Sequence, residues 1–378
     1  MLDAVIVGGG PVGLLLGCLL AQRGLSFVVL ESRPGPSPHS RAIGIHPPAL
    51  ETFARLGLAD ALLAAGVRIP RGVVRGEGRV LGDLSFAGVS REYPFVLSLP
   101  QQGTEVLLER RLDQLAPGSL RRGVRVLGVR EGGNRVTVEV QDEEEVRTLE
   151  TRFVVGADGR QSTVRREAGI SYRGGTYPDR YLMGDFPDTT PYGPDAVIHL
   201  AAGGVVESFP LPGRVRRWVA RTDELHAQPR PGDLTALLAE RTGLHVPAGE
   251  CSMLSPFEVR HHLAEQMVRG RTILIGDAAH EVSPIGGQGM NLGWLDAAEL
   301  APLLGLDDRR AAPALRRFEG RRRRSAWLAT RQAELNMFFG RPGQGWGRRL
   351  SEGVIEGLLS PPSPGGPLLA RAFTMRWL

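Results

Sequence analysis

The sequence has no lysine: all 46 of its basic side chains are arginine. That absence excludes Schiff-base catalysis, pyridoxal-phosphate attachment and the lysine of a P-loop. Cysteine is almost missing too, with Cys18 and Cys251 the only two in 378 residues. Two thiols so far apart make neither an iron–sulfur nor a zinc cluster, and no disulfide framework, so a reducing, cytoplasmic setting is expected. Cys18 lies in an apolar run and reads as a buried thiol. Membrane-spanning runs are also lacking. Residues 4–21 carry no charge, but they hold five glycines and a proline and follow Asp3 instead of a basic segment. A strand, a glycine-rich turn and a helix account for them better than a span or a signal peptide.

What is present describes an ordinary globular chain. Apolar residues make up 42% and charged residues 23%, and the length suits one large domain or two interleaved ones. Gly (50) and Pro (28) are abundant, so tight turns and close backbone approaches are expected. The net charge of +5 is unevenly placed. Residues 309–349 hold twelve arginines against Glu319 and Glu334, an excess of ten, which leaves the remainder at about −5. No aromatic interleaving accompanies that stretch. It reads as a solvated helix face and not as a nucleic-acid site.

Hydrophobic patterning divides the chain further. Residues 3–7 and 25–30 read as parallel strands, joined by a helix at 14–23 that Gly24 closes. A Pro-rich loop follows at 33–40, and residues 50–65 have helical spacing. Residues 68–100 look like short strands with turns, 104–115 like a helix, and 124–141 like two strands joined by Gly132-Gly133. Apolar strands are expected at 152–157 and 271–275. Residues 172–260 again read as strands and turns, with a helix near 232–242. Helix is expected over 289–304 and on to about Phe339. An α/β framework interrupted twice by β-rich insertions implies a nucleotide-binding domain whose chain leaves twice to build a second layer.

The run Gly8-Gly9-Gly10-Pro11-Val12-Gly13 places G-x-G-x-x-G between an expected strand and helix. Gly8 permits the tight turn, Gly10 a close approach to a pyrophosphate, and Gly13 helix–strand packing. The helix start offers free N–H groups and a positive dipole end to that pyrophosphate. Glu31, eighteen residues beyond Gly13, stands where a carboxylate accepts from a ribose 2′-OH, which argues against a 2′-phosphate. Ser32 and Arg33 follow it and join Pro11 and Val12 in the candidate cofactor set.

Two later segments resemble the para-hydroxybenzoate hydroxylase family of group A FAD-dependent monooxygenases. The D-G motif is matched by Gly156-Ala157-Asp158-Gly159-Arg160, running on to Arg165. The G-D motif is matched by Gly276-Asp277-Ala278-Ala279-His280, continuing as Pro284-Ile285-Gly286-Gly287-Gln288-Gly289-Met290-Asn291. The stretch from Ser40 to His46 resembles the family's loop with a flavin-contacting arginine, here Arg41. Pro100-Gln101-Gln102-Gly103-Thr104-Glu105 resembles a P-Q-x-x-T-E segment of aromatic polyketide and phenolic-acid hydroxylases. By resemblance Asp158, Gly276, Asp277, Pro284, Gly287, Gln288, Gly289, Met290 and Asn291 contact FAD, as does Gln101, with Gln102 as the misregistered alternative. The helix beginning near Gly289 would point its positive end at the flavin N1–C2=O edge. Arg165 is read as a structural partner or a cofactor contact.

The resemblance implies a Rossmann-type FAD-binding domain (residues 1–67, 101–171 and 263–310), interleaved with a β-sheet substrate domain (68–100 and 172–262). A C-terminal helical region (311–378) follows. It implies that NAD(P)H, bound transiently, reduces FAD, and that O2 then forms a flavin C4a-hydroperoxide that hydroxylates an electron-rich aromatic small molecule. The alternatives are a reductase or oxidase of a prenyl or polyene substrate, or a non-catalytic flavin-binding relative. A base near the substrate is expected; His46, His199 and Tyr181 are weak candidates, each with a structural reading beside it. His280 is expected to make a structural hydrogen bond. His261-His262 has no metal-ligand spacing, and no metal is expected. Phe209 to Pro212 and Trp218 read as core or pocket lining. No thioredoxin-like domain is expected after Phe339. The apolar tail at 368–378 reads as docked on the fold in preference to a peripheral membrane contact.

Overall fold

In a computed structural model the described residues are 1–35, 41–76, 78–343, 345–359 and 365–376; side chains at 345–349 and 351 are outside the description. Most of the Pro-rich loop, Ser40 included, and the tail's last two residues therefore lie outside the described residues.

The first sheet has eight strands. Leu2–Val7 lies at its centre, parallel to Phe27–Glu31 on one side and to Glu145–Gly156 on the other. Leu120–Arg122 and Thr272–Leu274 extend the two sides in parallel, and Val268–Arg269 adds an antiparallel edge. Ala4, Val5 and Ile6 are fully buried, as a parallel strand covered on both faces requires. The Pro11–Gln22 helix packs against the Gln101–Leu115 and Gly289–Leu304 helices. Val124–Gly132 and Arg135–Asp142 form the expected hairpin and pair onto the first half of Glu145–Gly156.

The second sheet also has eight strands, in the order His280–Glu281, Met253–Ala264, Tyr172–Pro187, Val215–Thr222, Val206–Leu211, Ala196–His199, Arg71–Arg75, Val80–Ser85. Both β-rich insertions thus build one sheet. The strand Met253–Ala264 runs across the domain boundary expected at 262/263. One face of this sheet packs Leu182, Phe186 and Trp218 against Leu234 and Leu238 of the Pro231–Thr242 helix. The other turns Met183, Val219 and Phe257 toward Met337 of the long Asp308–Gly340 helix. A three-stranded sheet of Gly44–Ile45, Val96–Ser98 and Val67–Ile69 lies apart from both.

Three expectations about local structure need correction. Leu25 belongs to the helix end, not to the second strand: its N–H donates to the Leu20 carbonyl, and the strand starts at Phe27. Residues 50–65 are two helices, Pro47–Arg55 and Ala59–Ala65, because Gly57 takes a left-handed conformation between them. The arginine stretch is not wholly a solvated face. Arg309, Arg310, Arg316, Arg317, Arg321 and Arg324 are exposed, but Arg322 is buried.

Arg322 donates through Nε to Asp296 Oδ1 at 2.6 Å and through Nη2 to the Leu292 carbonyl. The other Asp296 oxygen bonds the His280 ring Nε2 at 2.6 Å and accepts from the Gly276 N–H at 3.0 Å. Asp296 is fully buried. Burial opposes its charge, but His280, Arg322 and the Gly276 N–H outweigh it and hold the carboxyl down at about 2.

The tail is docked. Phe373 stacks on His46 and on Phe86, and Arg376 Nε donates to the Val89 carbonyl and pairs with Glu51. Arg79 pairs with Glu356 of the Gly345–Leu359 helix. Among the described residues no helix is long and apolar enough to cross a membrane.

Removing the Asp296 charge tests how much this pairing holds. Asp296→Asn leaves buried Arg322 with only the Glu299 carboxylate, at 4.0 Å, as a charged partner among the described residues, and is expected to lower unfolding free energy by about 3 kcal/mol in urea titration. The pH dependence carries a sign. A carboxyl lowered from 3.8 to about 2 adds stability above pH 4 and loses it as pH falls from 4 toward 2. That contribution is about 2–3 kcal/mol, and the difference between wild type and Asp296→Asn should shrink by that much across the same window.

Candidate active site

Three loops leave the carboxyl ends of neighbouring parallel strands and meet, which is where open α/β sheets bind ligands. Gly8 has φ +110°, and a β-carbon there would lie 2.3 Å from the Ala157 carbonyl oxygen, so the first two loops touch backbone to backbone. A β-carbon on Gly13 would sit 2.0 Å from the Gly8 oxygen, and one on Gly293 would be 2.5 Å from a Val12 methyl. Trp294 Nε1 donates to the Pro11 carbonyl. Glu31 accepts from the N–H of Gly9 at 2.8 Å and of Arg33 at 2.9 Å. Burial opposes the Glu31 charge, but the Arg33 guanidinium and these N–H groups hold its pKa below the usual range.

Gly10 differs from its neighbours. A β-carbon there would meet nothing within 4 Å, although its backbone (φ −80°, ψ −176°) suits any residue. It opens onto a continuous cavity of about 1530 Å³. Single small-molecule pockets measure roughly 300–1,000 Å³, so this one has room for a dinucleotide and a second molecule. Gly8, Gly10, Pro11, Val12, Glu31, Ser32, Arg33, Arg41, Gln101, Asp158, Gly276, Asp277, Pro284, Gly287, Gly289 and Met290 line it. Two helices, Pro11–Gln22 and Gly289–Leu304, begin at its wall with no side-chain cap, so their free N–H groups remain for a ligand.

Two carboxylates on the wall suit hydroxyl donors. Asp158 Oδ2 accepts from the Thr163 and Val164 N–H groups, while its buried Oδ1 has no partner among the described residues. Asp277 is exposed to the cavity, and its carbonyl accepts from the Tyr172 hydroxyl at 2.8 Å. Surrounding protein pushes the Asp277 carboxyl up to about 6, a shift that belongs to the filled site more than to a water-filled one. The open space at Gly10, the orphaned Asp158 oxygen and the two uncapped helix starts fit FAD.

Other candidates stand elsewhere. Gly13, Gln288 and Asn291 are not on the cavity wall. Gly13 packs on Gly8, and Gln288 is buried at the helix start. The Asn291 amide is fully engaged: its oxygen accepts from the His46 N–H, and its nitrogen donates to the carbonyls of Gly44 and Gly287. Asn291 positions the glycine loop. Gln101 lines the cavity, whereas Gln102 does not. Among the described residues Arg165 forms no ion pair within its motif. It donates to the carbonyls of Ala278 and Arg160, so it ties the second loop to the third.

Of the three acid–base candidates only His46 reaches the wall. Burial pushes its ring down to about 4, so it is neutral at pH 7. His199 bonds the Tyr192 hydroxyl at 3.0 Å, and burial, aided by Arg75, pushes it to about 4 as well. Tyr181 is buried against Phe257 off the wall. Trp218 is core, while Phe209 lines the cavity. Sequence reading missed Glu207, which also lines it. Its signal was slight: the only charge between residues 200 and 212.

Comparisons with known proteins agree with this geometry. A family model described as FAD binding domain matches residues 1–333. An uncharacterised aromatic-compound monooxygenase of Bacillus subtilis is 35% identical over 319 residues, covering 82% of this chain and 63% of that protein. The 6-methylpretetramide 4-monooxygenase of Streptomyces rimosus is 34% identical over 306 residues, covering 79% and 55%. The chain thus spans less than two thirds of the length of these two relatives. The crystal structure of a p-nitrophenol 4-monooxygenase from Pseudomonas putida superposes with a TM-score of 0.86 at 25% identity, covering 98% of each chain.

Two glycine substitutions separate ligand space from packing space. Gly10→Val should leave the thermal midpoint of the FAD-free protein within about 2 °C of wild type and weaken FAD binding about 100-fold or more, read by flavin fluorescence. Gly13→Ala drives a methyl into the Gly8 carbonyl and should lower both, with a stability cost of about 1–3 kcal/mol.

Proposed function

The chain belongs to the FAD-binding-domain family of group A flavoprotein monooxygenases, and from that premise we propose that it hydroxylates a small aromatic substrate with NAD(P)H and O2. One observation carries the reading. The groove that fits FAD continues without a break into an apolar chamber built on the second sheet, lined by Val74, Phe86, Ile198, Phe209, Val219 and Phe339. That juxtaposition puts an aromatic-sized space beside the cofactor's place.

Each part of the protein then has work to do. Bound FAD supplies the electron storage and oxygen activation that amino-acid side chains lack. Glu31 would receive ribose hydroxyls at one end of the groove. The N-terminus of the Pro11–Gln22 helix would hold the pyrophosphate, and Gly10 would let the backbone come close. Asp158 and Asp277 would accept hydroxyl donors of the cofactor. The N-terminus of the Gly289–Leu304 helix would favour negative charge on the ring. Apolar side chains around the chamber keep water from the reacting centre. Residues 68–100 and 172–262 shape that chamber, and the end of the Asp308–Gly340 helix closes it through Leu335, Asn336 and Phe339. Cys18 and Cys251 are both free thiols, which suits a reducing, cytoplasmic compartment.

The test uses the FAD-loaded protein and a panel of phenols. A substrate should accelerate NAD(P)H oxidation by about tenfold or more, and under ¹⁸O₂ the product should carry one labelled oxygen by mass spectrometry. Turnover of NAD(P)H and substrate with an unlabelled product would assign the chain to reductase or oxidase chemistry instead.

A further inference from the structure

The cavity side of the second sheet presents a row of side chains across five strands. Register places Met183 beside Val219, Val219 beside Glu207, Glu207 beside Ile198, and Ile198 beside Val74. All five line the cavity. Four are apolar and the middle one is a carboxylate.

Glu207 is only 9% exposed, and no hydrogen bond or arginine compensates it among the described residues. Nearby carboxylates are treated otherwise. Asp185 is gripped through both oxygens by Arg217 at 2.7 Å, and Asp188 pairs with Arg216 at 2.9 Å. A buried polar group without a partner is costly, and one that faces a ligand chamber is explained by a ligand that satisfies it.

Tyr181 feels its charge, and Arg217 and His226 are among the titratable groups that line the same cavity. The Tyr181 hydroxyl, two strands away, is buried without a partner among the described residues; burial and then the Glu207 charge raise its pKa. Arg217 is on the wall but is held by Asp185. His226 lines the wall from the loop after the Val215–Thr222 strand. The long C-terminal helix contributes Gln332 and Asn336 to the wall but no charge.

Building on the hydroxylase reading above, we propose that Glu207 is the chamber's base, and that it receives the hydroxyl proton of a phenolic substrate. The phenol O–H donates to the Glu207 carboxylate. Its O–H bond breaks with the electron pair staying on the phenolate oxygen, and the proton ends on a Glu207 oxygen. The phenolate ring is richer in electrons at its ortho and para carbons, where an oxygen atom is delivered. Burial alone pushes Glu207 up to about 7, which suits a base that must take a proton from a phenol and release it again near neutral pH.

The experiment compares FAD-loaded wild type, Glu207→Gln and Glu207→Leu. Each is titrated with 4-nitrophenol, whose anion is yellow, and with its methyl ether, which has no proton to give. Wild type should prefer the phenol by about tenfold, and both variants should lose that preference. In wild type, kcat/KM for 4-methylphenol, which stays un-ionised in this range, should rise with pH through about 7 as the carboxylate ionises. Glu207→Gln should lack that limb and fall about 100-fold, with FAD retention unchanged. Glu207→Leu should raise the thermal midpoint, because it removes an uncompensated buried charge. An unchanged phenol preference and acid limb in Glu207→Gln would overturn the assignment. So would a lowered midpoint with loss of FAD in Glu207→Leu, which marks a structural role. The binding arm is independent of turnover. A Glu207-dependent preference without oxygenated product would support the assignment of Glu207 as proton acceptor while sinking the hydroxylase reading.

Discussion

One buried carboxylate holds both ends of the cavity in place. Asp296 grips the Gly276 N–H and the His280 ring on one side and Arg322 on the other. The first two belong to the loop that presents Asp277 to the cofactor groove. The third belongs to the Asp308–Gly340 helix, whose far end carries Leu335, Asn336 and Phe339 over the chamber. A displacement of either element would therefore be felt by the other. A fully buried charge of this kind contributes little net stability against an apolar alternative, but breaking it is costly because the partner remains buried. Its value is geometric, since it joins a cofactor loop to a substrate wall through one pair of oxygens.

Glycine supplies the complementary constraint. Gly8, Gly13 and Gly293 stand where a methyl group would strike backbone or Val12, so they set how closely the three loops meet. Gly10 stands where a methyl would strike nothing. Within one six-residue motif, then, identical residues serve different ends. Three, Gly9 against Glu31 included, let the protein pack on itself, and one keeps a place open for a ligand.

The nucleotide-binding framework was legible because its signals are local. Strand, glycine turn, helix and Glu31 all fall within 31 residues, and their order alone implies the parallel pairing that the register shows. The D-G and G-D segments were legible as motifs, though their hydrogen bonds were not. Asn291 looked like a cofactor contact, yet its amide serves Gly44, His46 and Gly287, partners more than 240 residues away in two cases. Arg322 was hidden among arginines that do face water. Only its position on the buried stripe of a 33-residue helix, opposite Asp296, sets it apart, and that is a fact of packing. The split of residues 50–65 was present in Gly57, but helical spacing on both sides masked it. Glu207 left the weakest trace. A lone carboxylate in an apolar strand fits a solvated edge as well as a chamber wall, and only sheet order separates the two.

The missing lysine gains meaning against this charge map. If it holds a pyrophosphate, a reduced flavin and an ionised phenol, as proposed above, the site must tolerate accumulating negative charge. The protein answers with uncapped helix starts and with arginines, while two wall arginines are already held: Arg33 by Glu31 and Arg217 by Asp185. Held cations neutralise their own partners and add little net positive field. Proton transfer from the phenol to Glu207 would move the carboxylate's charge onto the ring without adding to the total. Surrounding protein raises Asp277 to about 6 although it faces the open cavity, and burial raises Glu207 to about 7, so both are readily protonated where water is displaced. A lysine in the apolar chamber would work against this arrangement. It would either lose its proton on burial or hold a phenolate so firmly that electron density is drawn away from the ring carbons. A carboxylate that takes the proton leaves that density available, and so Glu207 in place of a cation agrees with chemistry at the ring.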